Sequence, residues 1–248
     1  MKSEVLISIN NLHKSYGHIV ALDGICLDIY KGETTAIVGD NGSGKSTLIK
    51  ILAGNIRPDA GEIRMEGKTI TPLTPGKSIA CGIHTVYQDL SLDDCKNSIE
   101  NIFLGKEITR YGFLQRKEME NQAEKLLQDI HVNIDDLHTS VSNLSGGQRQ
   151  GLAIARTLLR QGKLLMLDEP MAAMGIAESH SAQKMFLELK DKGTTMLIVS
   201  HNLFQVFDIA DRVVVMRAGK IIADVQTGNA TPEMIQELIL QREYQEGI

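Results

Sequence analysis

The sequence predicts an α/β fold with a parallel sheet. Three continuous apolar segments, residues 164–167, 196–199 and 213–216, are separated by helical stretches. Uninterrupted apolar strands of this kind are typical of parallel sheets buried on both faces. Near the N-terminus, shorter strands alternate with turn residues, which predicts a small antiparallel β layer. From about residue 91 to residue 143 the pattern is helical without long apolar runs, which predicts a helical subdomain inserted into the α/β core.

Composition and charge limit the possible functional classes. The 248 residues are 42% apolar and 23% charged, as in globular chains that form a hydrophobic core. The net charge of −5 disfavours a large basic surface for nucleic acid. No apolar run reaches the ~18–20 residues that cross a bilayer, and the N-terminus does not resemble a signal peptide. Three cysteines without a C-x-x-C pair favour reduced thiols in a cytoplasmic protein.

The predicted elements begin with short strands. Residues 6–9 and 25–29 have strand composition, and turn residues such as Gly17 and Gly32 lie around them. This close spacing favours hairpins and therefore the antiparallel layer. A strand at 34–38 follows. The remaining predicted elements are a helix at 48–53, a strand at 83–87, a helix at 152–160 and a C-terminal helix that starts at Thr231-Pro232.

These elements predict one domain over residues 1–248. Residues 1–88 and 161–248 form the α/β core, and residues from about 89 to 160 form the helical subdomain. A second arrangement stays open, in which the same helices lie on the surface of one undivided domain.

A glycine-rich loop follows the strand at 34–38 and fits the pattern G-x-x-x-x-G-K-[ST]. Glycines let the backbone wrap closely, so that successive N–H groups and a helix N-terminus point at phosphate oxygens. Lys45 reaches the β- and γ-phosphates, and the Ser46 hydroxyl ligates Mg²⁺. The loop therefore predicts a P-loop NTPase core that binds ATP with Mg²⁺. Its residues are Gly39, Asp40, Asn41, Gly42, Ser43, Gly44, Lys45, Ser46 and Thr47.

Two acidic residues end the apolar strand at 164–167. Asp168 emerges at the strand end, where a carboxylate can hold Mg²⁺ opposite Ser46. Glu169 comes next and is the candidate to polarise an attacking water. An apolar strand that ends in two acids is a weak signal alone, but the phosphate loop upstream makes it a specific one.

Two further polar residues follow predicted strands. His201 comes after the strand at 196–199, and Gln88 comes after the strand at 83–87. The carboxyl ends of parallel strands face the ligand crevice of an α/β sheet. His201 could donate to the γ-phosphate, and Gln88 could contact Mg²⁺ or the attacking water. The alternative is a structural or surface histidine and a solvated glutamine.

A second candidate anion site lies at residues 144–148, whose sequence is Leu-Ser-Gly-Gly-Gln, before a strongly helical stretch. One chain rarely needs two such helix ends for one triphosphate. The pattern resembles the signature motif of the ATP-binding cassette family, here carried by the helical subdomain. The resemblance covers residues 5–240, with the other motifs in the family's order: Tyr16, Lys45, Gln88, the signature, Asp168-Glu169 and His201.

The resemblance implies a mechanism. Such cassettes pair head to tail, with ATP held between the phosphate loop of one and the signature of the other. Tyr16 would stack on adenine, Glu169 would act as general base, and His201 would be the switch histidine. The second cassette would be another copy of this chain or another subunit, with a homodimer expected. The residues that would contact the partner's ATP are Ser145, Gly146, Gly147 and Gln148.

Finer resemblance points to ribose/fructose-type sugar importers. It rests on residues 82–90, 101–105 and 200–212. Two positions depart from the common cassette pattern. Met171 stands where many cassettes have Thr or Ser, and Gly175 stands where many have Asp.

The resemblance implies an ATP-hydrolysing subunit at the cytoplasmic face of the membrane. It would be peripheral and bound to a separate membrane permease, would depend indirectly on a solute-binding protein, and would not bind nucleic acid. The alternatives are a cassette of an exporter and a nucleic-acid- or ribosome-associated ATPase. Four apolar residues after Gln88 could line the groove that receives the permease or could pack in their own core: Ile99, Ile102, Phe103 and Leu104.

Overall fold

A computed structural model describes residues 4–172 and 174–240 of the chain. The strands are β1 (Val5–Tyr16), β2 (Ile19–Tyr30), β3 (Thr34–Val38), β4 (Ala60–Met65), β5 (Lys68–Thr69), β6 (Ile83–Val86), β7 (Thr109–Arg110), β8 (Phe113–Leu114), β9 (Leu164–Asp168), β10 (Met196–Ser200), β11 (Arg212–Arg217) and β12 (Lys220–Gln226). The helices are α1 (Lys45–Leu52), α2 (Pro75–Ala80), α3 (Ser98–Phe103), α4 (Arg116–Asp129), α5 (Gly146–Leu158), α6 (Ile176–Asp191), α7 (Leu203–Phe207) and α8 (Pro232–Leu240).

The N-terminal layer is a four-stranded antiparallel sheet in the order β2-β1-β4-β5. β1 and β2 form a long hairpin whose turn contains Gly17 at a φ of 59°. Leu6, Ile7 and Ile9 of β1 are buried against a core that also contains α1. This confirms the predicted antiparallel layer, although both strands are longer than predicted.

The central sheet has six strands in the order β12-β11-β3-β10-β9-β6. β12 is antiparallel to β11, and the other neighbours are parallel. All residues of β10 are buried, as its continuous apolar segment predicts. All residues of β3 are buried too, including the polar Thr34 and Thr35. The parallel strands β3, β10, β9 and β6 therefore end side by side at one edge. The loops that follow them carry the candidate site.

Three helices, α3, α4 and α5, lie between β6 and β9 in the chain, where the helical insertion is predicted. Their buried side chains pack in one cluster with those of α6 and one face of the central sheet. The small hairpin of β7 and β8 in this segment is not predicted from the sequence. The division into core and helical subdomain stays a prediction. Among the helices in the described ranges, none has the length and apolarity needed to cross a membrane.

The apolar residues of α3 belong to its own core. Ile99, Ile102 and Phe103 are buried in the cluster shared with α5, whereas Leu104, just after the helix, is exposed. An Asn97 capping box begins α3 and satisfies two backbone N–H groups at its start. Three of the four residues considered for a permease groove are therefore packed inside the chain.

Arg212 links the two sheets from a buried position at the start of β11, because its Nη2 donates to the Asp28 carbonyl oxygen of β2. Its Nε lies 2.6 Å from Glu33 Oε1, and its Nη1 lies 3.0 Å from Asp224 Oδ2. Only 5% of Arg212 is exposed. Its charge is compensated by these two carboxylates, since isolated buried charges are strongly unfavourable.

We expect the Arg212→Leu substitution to lower the free energy of unfolding by about 3–5 kcal/mol, because it leaves the Glu33 carboxylate without its partner in a largely buried position. Urea denaturation followed by circular dichroism measures the change. Arg64→Leu is the control, because Arg64 pairs with Glu62 on the exposed surface and should change stability much less. Equal effects of the two substitutions would contradict a structural role for the buried pair.

Candidate nucleotide site

The phosphate loop connects β3 to α1 at the edge of the central sheet. Gly44 caps α1 in the left-handed conformation, at a φ of 106°. A Cβ at Gly39 would lie 2.0 Å from the carbonyl oxygen of Met216, and one at Gly44 would lie 2.4 Å from that of Ala21. Any side chain at either position would collide with backbone. The two glycines are therefore required for the loop to wrap as it does.

Lys45 lies inside this loop. Its Nζ donates to the carbonyl oxygens of Gly39 at 2.7 Å and Asp40 at 2.9 Å, and Ser43 Oγ lies 3.4 Å away. Burial lowers the pKa of the Lys45 ammonium, while nearby carboxylates, first that of Glu169, oppose the shift. The ammonium is thus anchored by the loop that would hold the phosphates.

Asp168 ends β9 beside the strand that leads to His201. Its Oδ1 is buried and accepts no hydrogen bond from the described residues. Burial, and next the charge of Glu169, raise the pKa of this carboxyl, while two lysines oppose the shift. A buried oxygen without a donor fits a hard cation such as Mg²⁺, and the exposed Ser46 lies in the first turn of the neighbouring α1.

The structure brings Glu169 and His201 into direct contact. Glu169 Oε1 accepts from the His201 backbone N–H at 2.9 Å, and Oε2 lies 2.9 Å from His201 Nδ1. Glu169 itself has a φ of 51° and donates its N–H to the Val199 carbonyl. Because 17% of the Glu169 side chain is exposed, its carboxylate is held in place and still reachable by water.

Two other predicted residues, Gln88 and Tyr16, lie at the margins of the site formed by Lys45, Asp168, Glu169 and His201. Gln88 follows β6, the edge strand next to β9, and is exposed. Tyr16 ends β1 with 44% of its surface exposed, and Lys14 Nζ lies 5.7 Å from its ring centroid. The ring is therefore available to stack on a base.

The signature segment forms the start of α5. Ser145 is the N-cap: its Oγ accepts from the Gln148 N–H, and its own N–H donates to Gln148 Oε1 at 2.9 Å. Gln148 Nε2 also donates to the carbonyl oxygen of Asn133. In the described residues, no hydrogen bond connects this segment to the phosphate loop. The chain alone therefore does not join its two predicted phosphate-binding elements by hydrogen bonds.

The sequence prediction missed one residue at this second element. Glu178, on the first turn of α6, accepts hydrogen bonds from the backbone N–H groups of Gly146 and Gly175. The spacing Gly175-x-x-Glu178 has the form of a helix-start signal and could have indicated the helix, but not the contact with α5.

A comparison with protein families matches residues 22–172 to the ABC transporter family. This match covers more than half of the chain. The chain belongs to the ABC transporter family. It is therefore a nucleotide-binding ATP hydrolase coupled to transport, as the motifs predicted.

Several curated relatives of this cassette have sugar-import names. The xylose/arabinose import ATP-binding protein XylG of Sulfolobus acidocaldarius is 42% identical over 234 residues, 94% of this chain and 93% of that protein. The fructose import ATP-binding protein FrcA of Rhizobium meliloti is 40% identical, over 89% of this chain and 88% of that one. The ribose import ATP-binding protein RbsA 2 of Escherichia coli O157:H7 is 34% identical, and this cassette spans about half of it, 48%. The predicted resemblance to the ribose/fructose group is confirmed.

Solved structures show the same fold. The ADP conformation of MJ1267, an ATP-binding cassette of an ABC transporter, aligns with a TM-score of 0.78 at 30% identity and covers 95% of this cassette and 94% of that chain. The dimeric post-hydrolysis state of MJ0796 bound to ADP and Pi aligns at 0.76 and 24% identity, over 90% of this cassette and 99% of that chain. The predicted α/β fold with its antiparallel layer is thus confirmed.

Proposed function

We propose that this cassette hydrolyses ATP to power the import of a sugar through a separate membrane permease, from the cytoplasmic face of the membrane. The observation that supports hydrolysis is the alignment of Lys45, Asp168 and the Glu169–His201 pair along one edge of the central sheet. The sugar-import names of its relatives support the direction and the solute class. The net charge of −5 disfavours a nucleic-acid partner.

The chemistry follows from the positions of these groups. The loop N–H groups and Lys45 hold the β- and γ-phosphates, and their positive charge offsets the negative charge of the transferring phosphoryl group. The Glu169 carboxylate accepts a proton from the attacking water, and His201 keeps that carboxylate oriented. Ser46 and Asp168 would hold Mg²⁺, which would supply charge neutralisation for the phosphates. Gln88 lies at the margin, where it would contact the ion or the water.

The second half of the site would come from a second cassette, which we expect to be another copy of this chain. Ser145, Gly146, Gly147 and Gln148 lie at the N-terminus of a 13-residue helix, where the helix dipole favours an anion. The γ-phosphate of a partner's ATP is the ligand that this end would receive, and Tyr16 would stack on the adenine of this chain's own ATP. Contacts made only with the triphosphate would close the dimer, and hydrolysis would release it.

The permease would dock on a cavity beside Gln88. This cavity of about 340 Å³ lies between α2, β6 and the end of α5, and Tyr87, Arg156 and Arg160 contribute to its wall. Arg156 donates to the Leu90 and Ser91 carbonyls in the segment after Gln88. Occupation of the cavity would therefore move the segment that carries Gln88. A solute-binding protein would act on the permease and not on this chain.

An uptake experiment tests the proposal. In a strain that lacks this chain, uptake of labelled xylose, arabinose, fructose or ribose should fall at least tenfold, and the wild-type chain should restore it. The Glu169→Gln chain should not restore it, because the general base is missing. Unchanged uptake of all four sugars would contradict the sugar assignment. Lost efflux of a solute would instead favour the exporter alternative, and a defect in translation or nucleic-acid metabolism would favour the third class.

A further inference from the structure

One carboxylate ties the signature motif to the helix that follows the catalytic strand. Glu178 Oε1 accepts from the Gly146 N–H at 3.1 Å, and Glu178 Oε2 accepts from the Gly175 N–H at 3.2 Å. Gly146 is the first residue of α5, and Gly175 is the N-cap of α6. A single half-buried side chain therefore bridges the starts of two helices.

The bridge satisfies donors that the helices themselves leave open. The first N–H groups of a helix have no intrahelical partner, and the helix dipole makes that end attract negative charge. Glu178 supplies a full negative charge to two such ends, and hydrogen bonds to a charged acceptor are the stronger kind. The Glu178 carboxylate lies against Gly146, because a Cβ on that glycine would be in ordinary van der Waals contact with its oxygen, at 3.4 Å.

The two bridged glycines lie in functionally different segments. Gly146 belongs to the signature, which would receive the partner's γ-phosphate. Gly175 lies six positions after Glu169, and between them Met171 is buried in the core. The segment after the general base is therefore anchored at Met171 and at Gly175. The signature is hydrogen-bonded to the second of these anchors.

We propose that Glu178 is a positioning residue that holds the signature motif in a fixed relation to the segment following Glu169. This proposal rests on the proposed function, in which the signature binds ATP held by a second cassette. Ser145, Gly147 and Gln148 line a cavity of about 310 Å³ that Glu178 also borders. The hydrogen bond to Glu178 keeps the backbone N–H groups at the start of α5 in a fixed position relative to α6. Without it, the Gly146 N–H is released and the first turn of α5 can shift relative to α6.

The test measures ATP-driven dimerisation of the full chain. In a Glu169→Gln background, which binds ATP without turnover, dimer formation is followed by sedimentation velocity as ATP with Mg²⁺ is raised. Glu178→Ala should raise the ATP concentration at half-dimerisation about tenfold, because two hydrogen bonds to a carboxylate are lost. Glu178→Gln should have a smaller effect, since its single amide oxygen accepts from only one of the two N–H groups.

Two further measurements separate positioning from general stability. The affinity of the monomer for a fluorescent ATP analogue reports on the phosphate loop and should not change in Glu178→Ala. The melting temperature should remain within a few degrees of the parent value. Glu188→Ala is the matched control, because Glu188 is also a half-buried glutamate on α6 and, among the described residues, its carboxylate pairs with the exposed His131 side chain. It should leave half-dimerisation unchanged.

The outcomes are distinguishable. If the Glu169→Gln parent does not dimerise with ATP, the split site of the proposed function is wrong. If the parent dimerises and Glu178→Ala behaves like it, the positioning role of Glu178 is wrong. Tighter dimerisation of Glu178→Ala would also overturn the proposal, because it would show that the carboxylate repels the partner's triphosphate instead of organising its binding surface.

Discussion

Glu169→Gln should reduce ATP turnover by roughly 10²–10⁴-fold while leaving ATP bound. Glutamine keeps the shape of the side chain, and its amide oxygen can accept from the His201 backbone N–H, which lies 2.9 Å from Glu169 Oε1 in the present structure. It cannot take a proton from water. The phosphate loop, whose contacts centre on Lys45, is not altered. The substituted cassette should therefore accumulate as an ATP-bound dimer.

Phosphate release measured at saturating ATP gives the turnover, and calorimetry gives the affinity. Glu120→Gln is the matched control. Glu120 lies on α4, and its Oε1 also contacts a histidine side chain, at 2.7 Å from His138 Nε2. That substitution should change neither quantity. Normal hydrolysis by Glu169→Gln would show that the carboxylate is not the general base. A loss of ATP binding would show that the Glu169 carboxylate contributes to the binding of ATP and not only to the hydrolysis step.

The parallel strands β9, β10 and β11 of the central sheet were predictable because each contains a continuous apolar segment. Such segments are stable when both faces of the sheet are covered by other layers, so their parallel arrangement follows from the pattern. The edge strand β12 was not predictable, because polar residues interrupt it and it pairs antiparallel with β11. The long β1–β2 hairpin was only partly predictable. Lys14 and Ser15 lie in the second half of β1, where polar residues and register shifts interrupt the alternation. The β7–β8 hairpin has two residues per strand and exposed side chains, so no periodicity marks it.

The candidate site was predictable to the extent that it lies at strand ends. Asp168 and His201 follow buried strands that the sheet order makes neighbours, which a sequence pattern can indicate. The contact between Glu169 and His201 was not predictable, because it depends on the register of β9 against β10 and on the positive φ of Glu169. Glu178 escaped detection for the same reason. Its partner Gly146 is 32 positions away, and only the packing of α5 on α6 brings the two together.

Lys45→Ala, in the phosphate loop, should weaken ATP binding roughly 10- to 150-fold. This corresponds to about 1.5–3 kcal/mol, the value for a lost hydrogen bond to a charged group. The loss is that large because the Lys45 side chain is buried, so the phosphates cannot recruit bulk solvent cations in its place without opening the loop. The substitution also leaves the Gly39 and Asp40 carbonyl oxygens without their donor. Loop order and phosphate charge compensation should therefore be lost together.

Calorimetric titration with ATP and with ADP separates these two contributions. Loss of charge compensation should weaken ATP more than ADP, because Lys45 reaches the γ-phosphate, whereas loss of loop order should weaken both equally. Lys77→Ala is the control, since Lys77 is an exposed lysine on α2 whose Nζ also donates to a backbone carbonyl, that of Pro72. It should bind both nucleotides like the wild type. Undiminished ATP affinity in Lys45→Ala would refute the phosphate-loop assignment, on which Asp168, Glu169 and His201 all depend for their roles.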